Sequence, residues 1–500
     1  MPPVLLSLWM RSILRRFADY FNACFPADFD GAPGRPARRR KSGALRAHRF
    51  SSIMTLSVQS DSLWADGGAE RMRNQGGNWA GLPGQILKAD LSRGRGRSKR
   101  GPMRGRLRLA ALLAGLALAG AAMAQPEWTH LSSTSGDLPA PNAGTQQTAC
   151  LILDINNDGV KDFVVAERTE TPSVVWYRRT ASGWEKEVID DTLLKIEAGG
   201  DFYDIDGDGD LDVSFGADRT SNAVWWWENP YPTYAPGVPW TRRYIKNSGS
   251  NKHHDQIFGD FDGDGQTELV FWNQWAGGKL FLAEIPADPR LTEPWVYTEI
   301  FDGASDSEGL AKGDIDGDGK VDIVGAGYWF KHNAGTDFTA HAIDAGQTFT
   351  RAAVGQLVAG GRPEVVFCPG DADGPLYWYQ WDSLSETWVA HEEISWVVHG
   401  HSLAVADIDG DGHQDIFVAE MGNPGAGANA KMRILYGVGD GTFTEEVVST
   451  GIGNHESKVG DLDGDGDLDI LTKPYSYGAP RVDVWLQNGT GASVIDWNTY

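Results

Sequence analysis

Cysteine is scarce: the chain has 3 in 500 residues, and only Cys150 and Cys368 lie beyond residue 124. A disulfide framework is excluded, and the two thiols are expected to be buried, unpaired groups in non-adjacent parts of the fold. Long apolar runs are scarce too. The one candidate sits in "MRGRLRLAALLAGLALAGAAMAQPEW", where three arginines after Met103 precede a short stretch rich in Ala and Gly. It is too short for a membrane span and has the layout of a secretory signal peptide over 103–124, with cleavage expected after Ala124. Residues 1–102 lack any sustained hydrophobic period and carry 18 Lys+Arg against 7 Asp+Glu. This basic extension cannot easily build a core. Its simplest reading is a start codon placed too early, and the other is an arm for nucleic acid or membrane.

Beyond residue 124, positive charge is what runs short. Residues 1–124 hold 21 of the 44 basic and 7 of the 68 acidic residues, so 23 basic face 61 acidic, a net of -38 over 376 residues. Nucleic acid is thereby an implausible partner. The expectation is an exported monomer, periplasmic or secreted, with no integral membrane span in the mature chain. So much negative charge repels itself unless cations neutralise it.

What the chain has in quantity is one acidic loop, D-x-D/N-x-D-G-x-x-D/E. It recurs at 154–162, 204–212, 260–268, 314–322, 407–415 and 461–469, and a degenerate copy, "QLVAGGRPE", fills the widest gap at 356–364. The starts are 50, 56, 54, 42, 51 and 54 residues apart. Each loop is flanked by apolar strands and followed by an aromatic-rich one ("VVWYRR", "VWWWEN") and an alternating one ("WEKEVID", "WTRRYIK"). Four short strands per period with no helical pattern predict an all-β, seven-bladed β-propeller over 125–500. Two segments compete for the last blade's outer strand: "EWTHLSST" near the start and "WNTY" at the end.

Oxygen ligands at loop positions 1, 3, 5 and 9, with glycine at 6, make a hard site suited to Ca²⁺, and less to Mg²⁺. The expected ligands are Asp154, Asn156, Asp158 and Asp162; Asp204, Asp206, Asp208 and Asp212; Asp260, Asp262, Asp264 and Glu268; Asp314, Asp316, Asp318 and Asp322; Asp407, Asp409, Asp411 and Asp415; and Asp461, Asp463, Asp465 and Asp469. An EF-hand is excluded because position 12 is Val165, Phe215, Phe271, Gly325, Val418 or Thr472, and none can ligate. With their preceding "GD" and following "DIV" strands, these units resemble FG-GAP or VCBS repeats, the family of the integrin α-subunit propeller. The resemblance implies about six structural calcium ions in loops between the first two strands of most blades. In the degenerate copy, Gln356, Val358 and Gly360 replace three ligands, and no metal is expected there.

First strands of a propeller line its axis, so one repeat offset marks one level of the channel. Six residues before each loop stand Thr148, Ala198, His254, Glu308, Thr350, His401 and His455. Six strand residues span roughly 20 Å, which puts this level at the mouth opposite the acidic loops. Near it lie His253, Asp255, Asp306, Arg351, His399 and Glu456. His254, Glu308, Arg351, His401 and His455 are the candidate catalytic set, able to hold Zn²⁺ or another divalent ion or to act as general acid and base. The alternative is a wet polar channel in which each histidine bonds a neighbouring strand. Exposed third-strand aromatics read either as inter-blade packing or as sugar platforms, and the insertion at 229–239 as a ligand-facing loop.

Three functions follow. One is a module that binds a glycan or protein through the channel mouth. Another is a sugar or polysaccharide lyase or dehydratase working by β-elimination, with His254 or His401 as base and a metal or Arg351 at the developing charge; the "HHDQIFGDFDGDGQTELV" region resembles the propeller of aldos-2-ulose dehydratase-type enzymes. The third is a structural scaffold in an envelope assembly.

Overall fold

The computed structural model describes residues 126–489, apart from 276, 304 and 305. The basic extension, the signal peptide with its cleavage point and the terminal "WNTY" lie outside the described residues. Among the described residues no helix is long and apolar enough to cross a membrane.

Alternation of apolar and polar residues, broken by glycine-rich turns, gives seven four-stranded antiparallel sheets. In blade 1 the strands run Gln147–Leu153, Asp162–Glu167, Val174–Thr180 and Gly183–Asp190, paired in that order. Blades 2 to 6 repeat the pattern with first strands Ile196–Tyr203, Gln256–Gly259, Ala311–Gly313, Thr350–Gly355 and Ser402–Ala406. Each acidic loop joins a first strand to a second. All acidic loops therefore share one face, and the residues that begin the first strands share the other.

Blade 7 settles how the ring closes. Its first three strands, Lys458–Gly460, Asp469–Thr472 and Asp483–Gln487, come from the end of the described chain, and its fourth is the N-terminal strand Trp128–Ser132. The register runs from Trp128 against Gln487 to Ser132 against Asp483. "EWTHLSST" is thus the closing strand.

Second strands such as Asp162–Glu167 and Glu268–Asn273 are buried throughout, whereas the outer strand Asp337–Ala342 is mostly exposed. The apolar residues gather in seven clusters, each shared by two neighbouring blades; one joins Val164 and Trp176 of blade 1 to Phe215 and Trp225 of blade 2. Trp176, Trp226 and Trp227 are fully buried, so these third-strand aromatics are inter-blade packing, where their large area contributes most. The insertion at 229–239 sits on the acidic-loop face: the Asn229 amide donates to the carbonyls of Ile155 and Leu211, and Tyr234 packs on Trp176 and Trp240. It does not face the channel mouth. Cys150 in blade 1 and Cys368 in blade 5 are free and buried, and burial raises both thiols.

Candidate metal and ligand site at the channel mouth

The residues six before each loop meet at the mouth as the repeat phase requires. Thr148, Ala198, His254, Glu308, Thr350, His401 and His455 are all buried. Of these, His254, Glu308 and His401 form a cluster whose ligand atoms all lie within 4.8 Å of one another. His254 Nε2 is 3.7 Å from Glu308 Oε1, and His401 Nε2 is 3.6 Å from Glu308 Oε2. Ligands held at 2.0–2.1 Å around a tetrahedral ion stand roughly 3.3 Å apart, so a contraction of this cluster would give three ligands of such a shell and leave the fourth position open. Glu308 Oε1 accepts the Gln274 amide, while Oε2 is buried without a hydrogen-bond donor.

A second tier of charge lies directly beneath. Strand alternation sends neighbouring side chains to opposite faces, yet His254 and Asp255 both turn to the axis, as do His455 and Glu456. Asp255 and Glu456 adopt left-handed backbone, φ 55 for each, which breaks the alternation. The equivalent Gly309 has φ 72, and a Cβ there would stand 2.5 Å from the Thr350 carbonyl. Its N–H reaches Asp255 Oδ2 at 2.8 Å. His254 Nδ1 bonds the same oxygen at 2.6 Å, which fixes the tautomer that points Nε2 at Glu308. A carboxylate behind a histidine is the usual way of orienting an imidazole toward a metal.

Arg351 contacts Asp255 at 2.7 Å and Glu456 at 2.5 Å. Burial alone would raise the Asp255 and Glu456 carboxyls, but the Arg351 guanidinium holds both below their usual range. Arg351 is therefore committed to the lower tier.

Two cavities flank these tiers and share no lining residue. One of about 460 Å³ opens on the mouth, with His254, Asp371, His401 and His455 on its wall. The other, about 390 Å³, occupies the channel on the acidic-loop side and is lined by Asp255 and Arg351. Arg351 thus faces away from the cavity that the histidines face. His455 stacks on His401, centroids 4.1 Å apart, and on Tyr475 at 5.1 Å, so it forms wall beside the cluster. His253 is structural: its Nδ1 lies 3.2 Å from the Trp272 carbonyl and its Nε2 3.1 Å from Lys246. His399 lies 3.8 Å from Asp373, and Asp306 is absent from the cluster.

Burial raises Glu308, helped by Asp371; burial lowers His401, helped by Arg351. Burial opposes protonation of His254, but Glu308 and Asp255 outweigh it and raise that imidazole. A net negative pair of carboxylates beside two imidazoles is a donor set for a borderline divalent ion.

Sequence reasoning missed Asp371, whose Oδ1 is 3.9 Å from His401 Nε2, together with Gln274 and Tyr475. All three lie on turns between second and third strands, which vary in length and carry no repeat phase. Their one signal is position, directly after a second strand.

In the acidic loops, the first aspartate accepts the position-6 glycine N–H in all six intact copies. The position-9 carboxylate also binds backbone N–H groups, as Asp212 does from Ile205 and Asn229. Asp204 Oδ1, Glu268 Oε1, Asp316 Oδ1 and Asp407 Oδ1 are buried without a donor, and at least four of the loops converge three carboxylates. Orphaned oxygens of this kind fit a hard cation. Two loops already hold a side-chain cation: Arg290 lies 2.7 Å from Asp206 and 2.5 Å from Asp208, and Lys331 bridges Asp316 and Asp318.

The FG-GAP-like repeat family matches residues 154–214, 204–271, 260–325 and 360–418. The first three matches each run from one acidic loop through the next, one strand out of phase with the blades. No curated protein matches the chain. Similar solved structures include BBS1N in complex with ARL6DN (12% identity, TM-score 0.46, covering 74% of this chain and 99% of that one). The V. cholerae biofilm matrix protein Bap1 (12%, 0.42, 72% and 91%) and the exotype rhamnogalacturonan lyase YesX (12%, 0.42, 71% and 76%) are others. Residues 154–325 and 360–418 thus carry FG-GAP-like repeats, and the described residues fold as a seven-bladed β-propeller.

Proposed function

We propose that this propeller is an exported binding module whose channel-mouth cavity seats a small ligand, a glycan unit or a protein side chain, on a divalent ion held by His254, Glu308 and His401. Calcium in the six intact acidic loops stiffens the ring and offsets its negative charge. The observation that carries the reading is the His254–Asp255 bond, which turns Nε2 toward a buried carboxylate that has one oxygen free. When bound, the ion would supply Lewis acidity at the cavity floor. The chain's own groups orient it: Asp255 fixes His254, Gln274 holds one Glu308 oxygen, and Arg351 anchors Asp255 from below.

Elemental analysis of the purified chain after dialysis against zinc or manganese should find one transition ion besides calcium, lost in Glu308→Gln. Calcium alone, with ligand binding untouched in His254→Ala and His401→Ala, would sink the reading.

A β-elimination role is favoured by one observation. Asp371 stands on the cavity wall with its side chain 36% exposed, where a base could reach a proton on a sugar beside the ion. Unsaturated-product absorbance over a panel of uronic acid polymers tests it, and a flat trace removes it.

A further inference from the structure

The cavity above the cluster gathers positive charge on a region, beyond residue 124, in which 23 basic residues face 61 acidic ones. Arg168, Lys195, Arg219 and Lys252 all line it. Arg168 is paired: it bonds Glu197 at 3.0 Å and Gln146 at 2.7 Å, and donates to the Tyr475 hydroxyl. The other three are not. Among the described residues no carboxylate lies within 4.0 Å of the side-chain nitrogens of Lys195, Arg219 or Lys252.

On a chain with 68 acidic and 44 basic residues, carboxylate partners are abundant, and three unpaired bases around one cavity need a cause. Lys252 and Lys195 are half-buried, so solvent does not fully compensate them. Lys252 follows from local backbone: it sits at φ 67, two residues before His254, with its carbonyl accepting Gln274 N–H at 2.9 Å. That turn places Lys252 on the same cavity wall as Asp371, His254 and His401.

Glu308 belongs to the ion cluster, and the carboxylates on the cavity wall are Glu197, Asp218 and Asp371. Arg168 is paired with Glu197, which leaves Lys195, Arg219 and Lys252 facing Asp371 and Asp218, the latter accepting from the Thr220 backbone and hydroxyl. The charge left over is positive.

We propose that the mouth cavity selects a small anionic ligand, a sugar or hydroxy acid bearing a carboxylate or phosphate, with Lys252 and Lys195 holding the anion while a neighbouring oxygen meets the ion. This rests on the metal-assisted reading above for the second contact but not for the first. Charge-assisted bonds to a lysine are roughly twice as strong as neutral ones, and 460 Å³ is room for a ligand of one or two sugar rings.

The test is calorimetric titration of the zinc-loaded full chain with D-galacturonate, D-galactose 1-phosphate and D-galactose. At least one anionic sugar should bind about tenfold or more tightly than galactose, and which one does so distinguishes carboxylate from phosphate. Lys252→Gln should abolish that preference and Lys195→Gln reduce it, with zinc affinity retained in both. Equal binding of galactose, no binding of any of the three, or an anionic preference that survives both substitutions overturns the proposal. If the wild-type chain takes up no zinc, the metal reading fails. The same titration on that chain then decides the anion site by itself.

Discussion

Asp255 is the residue on which the two tiers depend. One oxygen accepts from His254 Nδ1 and the Gly309 amide, and both its oxygens meet Arg351. An asparagine there would keep the volume and lose the charge, leaving His254 at most a weaker neutral acceptor and Arg351 with Glu456 as its remaining ion-pair partner. Removing a carboxylate behind a metal-ligating histidine typically costs 10–100-fold in metal affinity. Asp255→Asn should therefore weaken zinc binding by about that factor, measured by competition with a chromogenic chelator. It should also lower the unfolding midpoint, because breaking a buried pair costs about 3 kcal/mol or more. A variant that keeps wild-type zinc affinity while losing stability would show that Asp255 serves Arg351 and not His254.

At the scale of the element, the acidic loop performs two jobs that a motif cannot separate. The position-9 carboxylate is a backbone clamp: it persists as Glu364 in the degenerate copy, where it accepts the Leu357 and Val358 amides although the earlier acidic positions are gone. Positions 1, 3 and 5 make no such clamp in that copy and are the part of the loop we propose for the cation, with position 9 shared between both jobs. Glu364→Ala should thus cost about 2 kcal/mol, with or without calcium, since it orphans one buried and one half-buried amide. Asp262→Ala should destabilise only when calcium is present. In the blade 2 and blade 4 loops, Arg290 and Lys331 compete for the same oxygens, so Arg290→Ala and Lys331→Ala should tighten calcium binding there, read by titration with a calcium-selective dye. Unchanged affinity in both would mean that these side chains swing clear when calcium arrives. The sequence revealed the loop and its phase because a ligand set needs fixed spacing. It hid the division of labour, which depends on amides that no side-chain pattern reports. The same reason separates His254, Glu308 and His401, found by repeat offset, from Asp371 and Gln274, which hang on turns without one.

For the whole molecule, the fold was legible in the repeat but its closure was not, because two segments bore the same aromatic, alternating pattern and pairing is a long-range choice. The observed choice puts the Trp128–Ser132 strand in blade 7, where His130 Nε2 meets Asp483 at 2.9 Å and the ring stacks on Trp485 at 3.9 Å. Arg481 reaches the same carboxylate at 2.5 Å. Burial would raise the Asp483 carboxyl, but the bonds from His130 and Arg481 outweigh it and hold the group below its usual value. A carboxyl with a depressed folded-state pKa stabilises the protein above the unfolded value, about 4, and that contribution is lost as pH falls through the folded value. Asp483→Asn should lower the neutral-pH unfolding midpoint by several degrees, and the gap to wild type should narrow steadily below pH 4. Acidic loops titrate in both proteins and cancel from the difference. Hydrogen exchange should show the Trp128–Ser132 amides opening first in the variant, since a ring closed by one borrowed strand fails at that strand. Parallel midpoint curves down to low pH, with no early exchange at 128–132, would place the closing energy in the apolar contacts of Leu131 and Trp485 instead.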